Sequence, residues 1–232
     1  MKLSLIIPCY NEGTNLPLLL DRCQILGERG DIEIILVDNG STDDSATVLE
    51  KLMSQYRWCK SIRVPINLGY GYGILMGLRE ARGELLGWTH ADLQTDPKDL
   101  LKALPLFERY GNLIYVKGQR KHRPFTDNFF TVGMSIFEIL LLRRFFWDIN
   151  AQPNLFPRSF YEKWVQPPHD FSLDLYVYFK AKESNLTIHR IPVEFGKRIH
   201  GNSHWNINWQ GKWKFIKRTI QFSFKLRRSL NQ

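Results

Sequence analysis

LSLIIPCYNEG at residues 3–13 and IEIILVDNGSTDDS at residues 32–45 follow one plan, an apolar run that breaks off into polar, turn-forming residues. Each run is strand-length and apolar at consecutive rather than alternate positions, the pattern of a strand covered on both faces. Leu3–Pro8 thus reads as a first buried strand and Ile32–Val37, Glu33 excepted, as a second. Between them Leu16, Leu19, Leu20 and Cys23 recur at helical spacing over Asn15–Leu26. Past the second strand, Ser41 or Thr42 stands where it would cap a helix over Asp44–Gln55, because a side-chain oxygen there satisfies an orphaned N–H of the first turn. The alternation continues with a short strand near Ser61–Val64, the glycine-rich Asn67–Gly73, a helix to Ala81 and a strand over Glu84–Thr89. A helix from Asp96-Pro97 through Phe107 and a strand over Leu113–Lys117 follow. Strands and helices alternating at this spacing specify an α/β fold, a mostly parallel Rossmann-like sheet with right-handed crossovers and flanking helices.

After Gly118 the pattern changes. Phe129–Leu142 reads as an apolar helix, Phe160–Val165 is mixed, Asp174–Lys182 reads as another helix, and Leu186–Pro192 and Val193–Phe195 as short strands. No internal repeat or low-complexity linker divides the 232 residues, so one domain with a C-terminal elaboration is expected. The 44% hydrophobic and 24% charged content excludes a disordered or collagenous chain. Cys9, Cys23 and Cys59 are odd in number and lack CxxC spacing, which argues against a disulfide framework or zinc site and fits a reducing cytosol. The opening apolar run has no cleavage pattern of a secretory signal. The apolar stretch Thr131–Leu142 contains Glu138 and falls well short of the roughly 20 residues that span a bilayer. A protein that is soluble or lies on a membrane is expected.

The net charge of +9 is unevenly placed. Residues 195–232 carry nine basic residues and no acidic one, which accounts for the whole excess. A nucleic-acid binder with a basic face across the domain would not look like this, and no nucleic acid is expected as a partner. Trp209, Trp213, Ile216 and Ile220 recur at helical spacing in this tail, with Phe222, Phe224 and Leu226 widening the apolar side among many Lys and Arg. Such a basic amphipathic C-terminal helix is the pattern of an interfacial helix on an anionic membrane surface, or of a helix packed on the domain.

Ligands of open α/β sheets bind beyond the carboxyl ends of the strands. Four polar clusters fall there: Pro8-Cys9-Tyr10-Asn11-Glu12, Asp38-Asn39-Gly40-Ser41, the glycine-rich stretch from Asn67, and His90-Ala91-Asp92-Leu93-Gln94. The glycine stretch is not a dinucleotide fingerprint, because the third glycine of GxGxxG would fall at Ile74 and the motif should follow the first strand. No GxxxxGK[ST] is present, which excludes a P-loop nucleotidase. Asp92 and Gln94 put hard oxygen donors two residues apart on a tight loop, a pair able to hold Mg²⁺ or Mn²⁺ beside diphosphate oxygens, or else to form an Asx turn.

Taken in order, these residues resemble the family 2 glycosyltransferases of GT-A fold, and among them the dolichyl- or polyprenyl-phosphate sugar synthases. LSLIIPCYNEG and VDNGSTDDS look like the family's first two strand ends, and THADLQTDP like its metal-binding segment. Lys117-Gly118-Gln119-Arg120 resembles the following G-S-R element, and Asp148-Ile149-Asn150 and Ile191 through Ser203 the distal ones. The resemblance runs from Leu3 to about Trp205, so a GT-A domain over residues 1–205 and a basic helix over 206–232 are expected. It implies that Pro8, Tyr10, Asn11, Glu12 and Asp38, with Gly69, surround the nucleoside of a UDP- or GDP-sugar donor. It implies that Asp92 and Gln94, with His90, hold Mn²⁺ or Mg²⁺ against the donor diphosphate. Arg120, Arg198 and Ser203 would face donor or acceptor phosphates, to which the planar guanidinium fork is suited. The sequence departs from the family's pattern at His90 and Asn39, where aspartates are usual, and at His204, where a lysine often stands. The arginine that usually follows the G-S-R element has no clear counterpart, Arg123 being near and Asp127 closer to the aligned position.

The implied reaction is inverting transfer of a sugar from the nucleotide to a polyprenyl or dolichyl phosphate at the cytoplasmic membrane face. A phosphate acceptor is anionic at neutral pH, its second pKa being about 6, whereas a hydroxyl of a lipid-linked glycan needs a base. Asp174 is the preferred base, with Asp170 and His169 nearby, although such residues also cap helices. Other readings are a sugar-phosphate nucleotidyltransferase, which would carry a Gly-rich, basic loop after the first strand, and a non-catalytic GT-A domain marked by His90.

Overall fold

The computed structural model describes residues 2–121, 125–199 and 209–229, excluding the side chains of 125–132, 209–215 and 229. The apolar runs become strands β1 (Leu3–Cys9), β2 (Ile32–Asn39), β3 (Cys59–Val64) and β4 (Leu85–Trp88), all parallel. Helices α1 (Leu16–Gly27), α2 (Ser45–Met53) and α3 (Tyr70–Glu80) connect them. The chain continues through α4 (Leu104–Tyr110), β5 (Ile114–Lys121), α5 (Phe125–Leu142), β6 (Asn154–Pro157), α6 (Arg158–Tyr161), α7 (Ser172–Glu183), β7 (Thr187–Glu194) and α8 (Trp209–Ser229). The seven strands lie in the order β3-β2-β1-β4-β6-β5-β7, with β6 antiparallel to both of its neighbours.

The alternation of strand side chains divides the core into two layers. Leu3, Leu5 and Ile7 of β1 pack with Leu16, Leu19 and Leu20 on one face, while Ile6 packs with Ile74, Leu78 and α7 on the other. Ser4 is fully buried and uses its hydroxyl to accept from the Gly83 N–H at 2.7 Å, so the loop before β4 is fixed to β1.

Several sequence expectations are corrected. Asp44, not Ser41 or Thr42, is the N-cap residue of α2, because those hydroxyls are occupied by Asn11. The helix expected from Asp96 splits into a 3₁₀ segment over Pro97–Ala103 and then α4; Pro105 brings no N–H to the ladder there. The strand expected over Leu113–Lys117 runs from Ile114 to Lys121, and the unforeseen β6 stands between it and β4. The two short strands near residue 190 are one, β7, whose Pro192 is tolerated because β7 is an edge strand.

Helix α8 lies against α5 and α7. Leu226 is buried, Phe222 meets Tyr176 with ring centroids 6.5 Å apart, and Phe224 meets Phe137 at 6.5 Å. Part of the apolar side of α8 is therefore occupied by the domain. Among the described residues no helix is long and apolar enough to cross a membrane. At the α5–α8 seam Glu138 is fully buried; its Oε1 accepts from Ser223 Oγ at 2.6 Å and its Oε2 has no hydrogen-bond partner. Burial raises its carboxyl from 4.5 to about 7, the Ser223 hydrogen bond opposing. The folded state therefore binds this proton more tightly than the unfolded chain. The resulting stabilisation is full below pH 4.5 and is lost as pH rises to about 7, a change of roughly 3 kcal/mol at about 1.4 kcal/mol per unit. Glu138→Gln is expected to remove that slope from urea-unfolding free energies; identical slopes in both proteins would refute the assignment.

Candidate active site

The polar clusters converge along the carboxyl ends of the strands. Asn11 takes a left-handed conformation with φ of 56°, which asparagine tolerates better than most residues. This lets it tie the β1 loop to the β2 loop: its N–H donates to Ser41 Oγ at 3.0 Å, and its Oδ1 accepts from the Thr42 N–H at 2.8 Å. The Glu12 N–H donates to Ser45 Oγ at 3.0 Å, and Asn15 donates to the Glu12 carboxylate. Burial raises the Glu12 pKa, with Asn15 opposing. Pro8 and Tyr10 flank this loop half-buried. Asp38 is 2% exposed; Oδ1 accepts from the Ser41 N–H at 3.0 Å, whereas Oδ2 lacks a hydrogen-bond partner and has Arg63 Nε at 3.8 Å. A buried carboxylate oxygen in that state favours a ligand that brings a donor.

Asn39 is buried and donates to the Gly69 carbonyl at 2.9 Å, a bond that an aspartate at this position would not make. Gly69 has φ of 114°, and a Cβ there would lie 2.5 Å from the His169 carbonyl oxygen. The start of α3 thus packs backbone to backbone on the loop before α7, and the Tyr72 N–H donates to the same carbonyl at 2.9 Å.

Beyond β4, Asp92 is 6% exposed and accepts from the Gln94 N–H at 3.2 Å and from Arg198 Nη2 at 2.8 Å. Gln94 Nε2 donates to the Gly196 carbonyl at 3.1 Å, and the Gly196 N–H returns a bond to the Gln94 carbonyl at 2.8 Å. The segment after β7 is therefore strapped across the β4 loop. His90 lies 5.4 Å from the Tyr70 ring, which stacks on Phe171 at 4.6 Å. Burial lowers the His90 pKa; Asp92 and Asp174 pull it up, and Arg120 and Arg198 push it down. Among the described residues no group of three His, Cys, Asp or Glu is placed to cage a metal. One carboxylate with an amide oxygen and an imidazole nearby fits a divalent ion that takes most of its ligands from a diphosphate.

At the end of β5, Arg120 Nε donates to Asp148 Oδ1 at 2.9 Å and its N–H to Asp148 Oδ2 at 3.2 Å, while its guanidinium lies 5.2 Å from the Phe195 ring centroid. Arg120 and Arg198 are thus both paired and partly buried. Asp174, the candidate base, is 1% exposed and accepts from Gln152 Nε2 and Asn154 Nδ2, both at 3.1 Å. Asp170 accepts from the Ser172 N–H at 2.9 Å, an Asx turn that leads into α7. Ser203, His204 and Arg123, and the Asp127 side chain, lie outside the described residues. Sequence reasoning missed Lys117, Gln152 and Asn154, which are 0%, 1% and 0% exposed below the site. A lysine directly following the apolar run Ile114–Val116 was the available signal.

A mostly parallel sheet with polar clusters gathered along its carboxyl edge is the open α/β arrangement in which ligands bind beyond the strand ends. The chain belongs to glycosyltransferase family 2, whose model, Glycosyl transferase family 2, matches residues 4–161. An undecaprenyl-phosphate 4-deoxy-4-formamido-L-arabinose transferase of Yersinia enterocolitica is 28% identical over 208 residues, covering 84% of this chain and 61% of that protein. The like-named protein of Pseudomonas paraeruginosa is 40% identical over 103 residues, covering 42% and 30%. The chain thus spans less than two thirds of the length of these relatives. Among solved structures, glucosyl-3-phosphoglycerate synthase from Mycobacterium tuberculosis in complex with UDP has a TM-score of 0.74 at 15% identity, covering 97% of this chain and 80% of that one. A mannosyltransferase from Pyrobaculum calidifontis in complex with GDP-Man and Mn²⁺ has a TM-score of 0.65 at 19% identity, covering 88% and 58%. These similarities establish the GT-A fold.

Proposed function

We propose that the chain is an inverting glycosyltransferase that moves a sugar from a nucleotide-sugar donor to a polyprenyl phosphate. The observation that carries this reading is the order of the polar sites along one sheet edge. The unsatisfied Asp38 oxygen and the locked Asn11 loop stand over β1 and β2, Asp92 over β4, and Arg120 over β5. At about 4.8 Å per strand, β1 and β5 lie roughly 14 Å apart, which separates a nucleoside end from an acceptor end with the diphosphate between them. Asp92, with Gln94 and His90, would hold a divalent ion, Mn²⁺ or Mg²⁺, which supplies charge stabilisation for the departing diphosphate. Arg198, now on Asp92, supplies a guanidinium to the same phosphates, and Arg120 faces the acceptor phosphate. The names of the relatives support a lipid phosphate acceptor, and so does the engagement of the Asp174 carboxylate with Gln152 and Asn154. A phosphate with second pKa of about 6 attacks without a base.

Membrane contact from the cytoplasmic face fits the surface beside α8. Ile136 and Leu140 on α5 are 52% and 74% exposed and Phe224 is 49% exposed, next to Lys217, Lys225 and Arg228. Basic residues near an anionic surface contribute about 1 kcal/mol each. The donor site is tested by thermal unfolding with UDP, GDP and their sugar conjugates, with and without Mn²⁺. A ligand at about 100 times its dissociation constant adds roughly 2.7 kcal/mol, so a metal-dependent shift with one nucleotide is expected. No shift with any of them would sink the donor-site assignment.

A further inference from the structure

Below the site lies a buried polar cluster that binds no ligand in the reading above. Lys117 of β5 donates from Nζ to the Ala151 carbonyl at 2.9 Å and to Asn154 Oδ1 at 2.6 Å, and stands 3.7 Å from Asp174 Oδ1. Asn154 Nδ2 donates to Gln152 Oε1 at 2.6 Å, and Tyr115 donates its hydroxyl to Asn154 Oδ1. Gln152 Nε2 reaches Tyr70 Oη at 3.2 Å, and Tyr70 is the ring beside His90. The connection from Asp148 to Asn154 is thus held from below by one ammonium group, and Asp148 at its head grips Arg120. The pair also matters electrostatically. A bare carboxylate under a surface that receives phosphates would repel them, and Lys117 cancels it at close range.

We propose that Lys117 is a positioning residue: paired with Asp174, it anchors the 148–154 connection so that Asp148 holds Arg120, and Gln152 holds Tyr70, in register for the acceptor phosphate. The proposal rests on the reading that Arg120 faces that phosphate. In this arrangement Asp174 is the buried counter-ion of Lys117 rather than a general base. The charged groups around Lys117 are Asp174 on α7, Arg190 on β7, Asp148 on the connection and Arg120 on its own strand. Burial lowers the ammonium to about 7, Asp174 opposing. Its hydrogen bonds therefore lose their charge assistance as pH rises through neutrality.

The test compares wild type, Lys117→Met and Asp174→Asn with undecaprenyl phosphate in detergent and the nucleotide sugar selected by thermal shift. Lys117→Met is expected to raise the acceptor KM by about tenfold or more with kcat within about threefold, the signature of lost binding rather than lost chemistry. Its nucleotide-induced thermal shift should equal that of wild type. The rise in wild-type acceptor KM above a pH of about 7 should be absent from Lys117→Met. In Asp174→Asn that rise should move to lower pH, without the collapse in kcat that removal of a base brings. A fall in kcat of about 10² or more at constant KM in Asp174→Asn would make Asp174 the base and overturn the proposal. A Lys117→Met enzyme with wild-type KM and pH profile would overturn it equally. If wild type transfers no sugar to the lipid, the functional reading fails, and the Arg120 Nε–H NMR signal decides positioning alone. A shifted, faster-exchanging signal in Lys117→Met supports the anchor; an unchanged one refutes it. Should Lys117→Met not fold, Lys117→Gln, a donor without charge, replaces it in each comparison.

Discussion

Asp92→Ala is expected to lower sugar transfer by about 10²–10³ and to abolish the metal dependence of nucleotide binding. Asp92 is the buried carboxylate of the β4 loop, Asp96 being turned to the Lys98 N–H as a cap, and the charge that develops on a leaving diphosphate would fall to the ion Asp92 would hold and to Arg198. Removal of one electrostatic stabiliser of a developing anion has effects of this size, about 10²–10³ in rate. The fold should tolerate the change, because the Arg198 side chain is 26% exposed and can return to water; such partly exposed pairs contribute about 1 kcal/mol or less. Asp92→Asn retains an acceptor for Arg198 and separates the two effects. Near-normal transfer by both variants would show that the β4 loop is not where the diphosphate binds.

Asp174→Ala is expected to destabilise the protein by about 3–5 kcal/mol, the usual result of removing one member of a buried ion pair. Lys117 at 0% exposure then keeps no counter-ion, and the donors of Gln152 and Asn154 lose their shared acceptor. The double change Lys117→Met/Asp174→Leu removes both charges and should lie much closer to wild type, since apolar replacements of whole buried pairs are often neutral. Urea-denaturation midpoints of the three proteins provide the measurement. If the single variant is as stable as wild type, Asp174 is not the partner that keeps Lys117 buried.

The parallel part of the sheet was legible because β1 and β2 are buried on both faces and so carry near-continuous apolar runs. Strand β6 was not, because it has four residues bounded by Pro153 and Pro157, and proline in a short run argues against a strand. The strand ends that carry Asn11, Asp38 and Asp92 were legible for a local reason: chain leaving a sheet must turn, and polar turn residues mark the place. What joins them was hidden. The Arg198–Asp92 bond links residues 106 positions apart, and nothing in either segment names the other. Asp174 was named because it lies in the segment where the family resemblance places acceptor-side groups, and its capping position on a helix gave no sign of its surroundings. Only the packing of α7 over the 148–154 connection shows its carboxylate turned inward, to Asn154 and Gln152.

The reversed strand also sets an order in which the molecule can be assembled. On a chain synthesised from its N-terminus, β1 to β4 have all their mutual partners once Trp88 has emerged. The far edge of β4 then has no strand to pair with until Asn154–Pro157 arrives, and β5, although made earlier, joins the sheet through β6. The first half of the sheet is therefore a platform that waits, with its β4 edge open, for more than 60 residues of further synthesis, and at about 5–20 residues per second that interval lasts several seconds. An open edge over that interval is exposed to pairing with a neighbouring chain, and β6 is the strand that closes it.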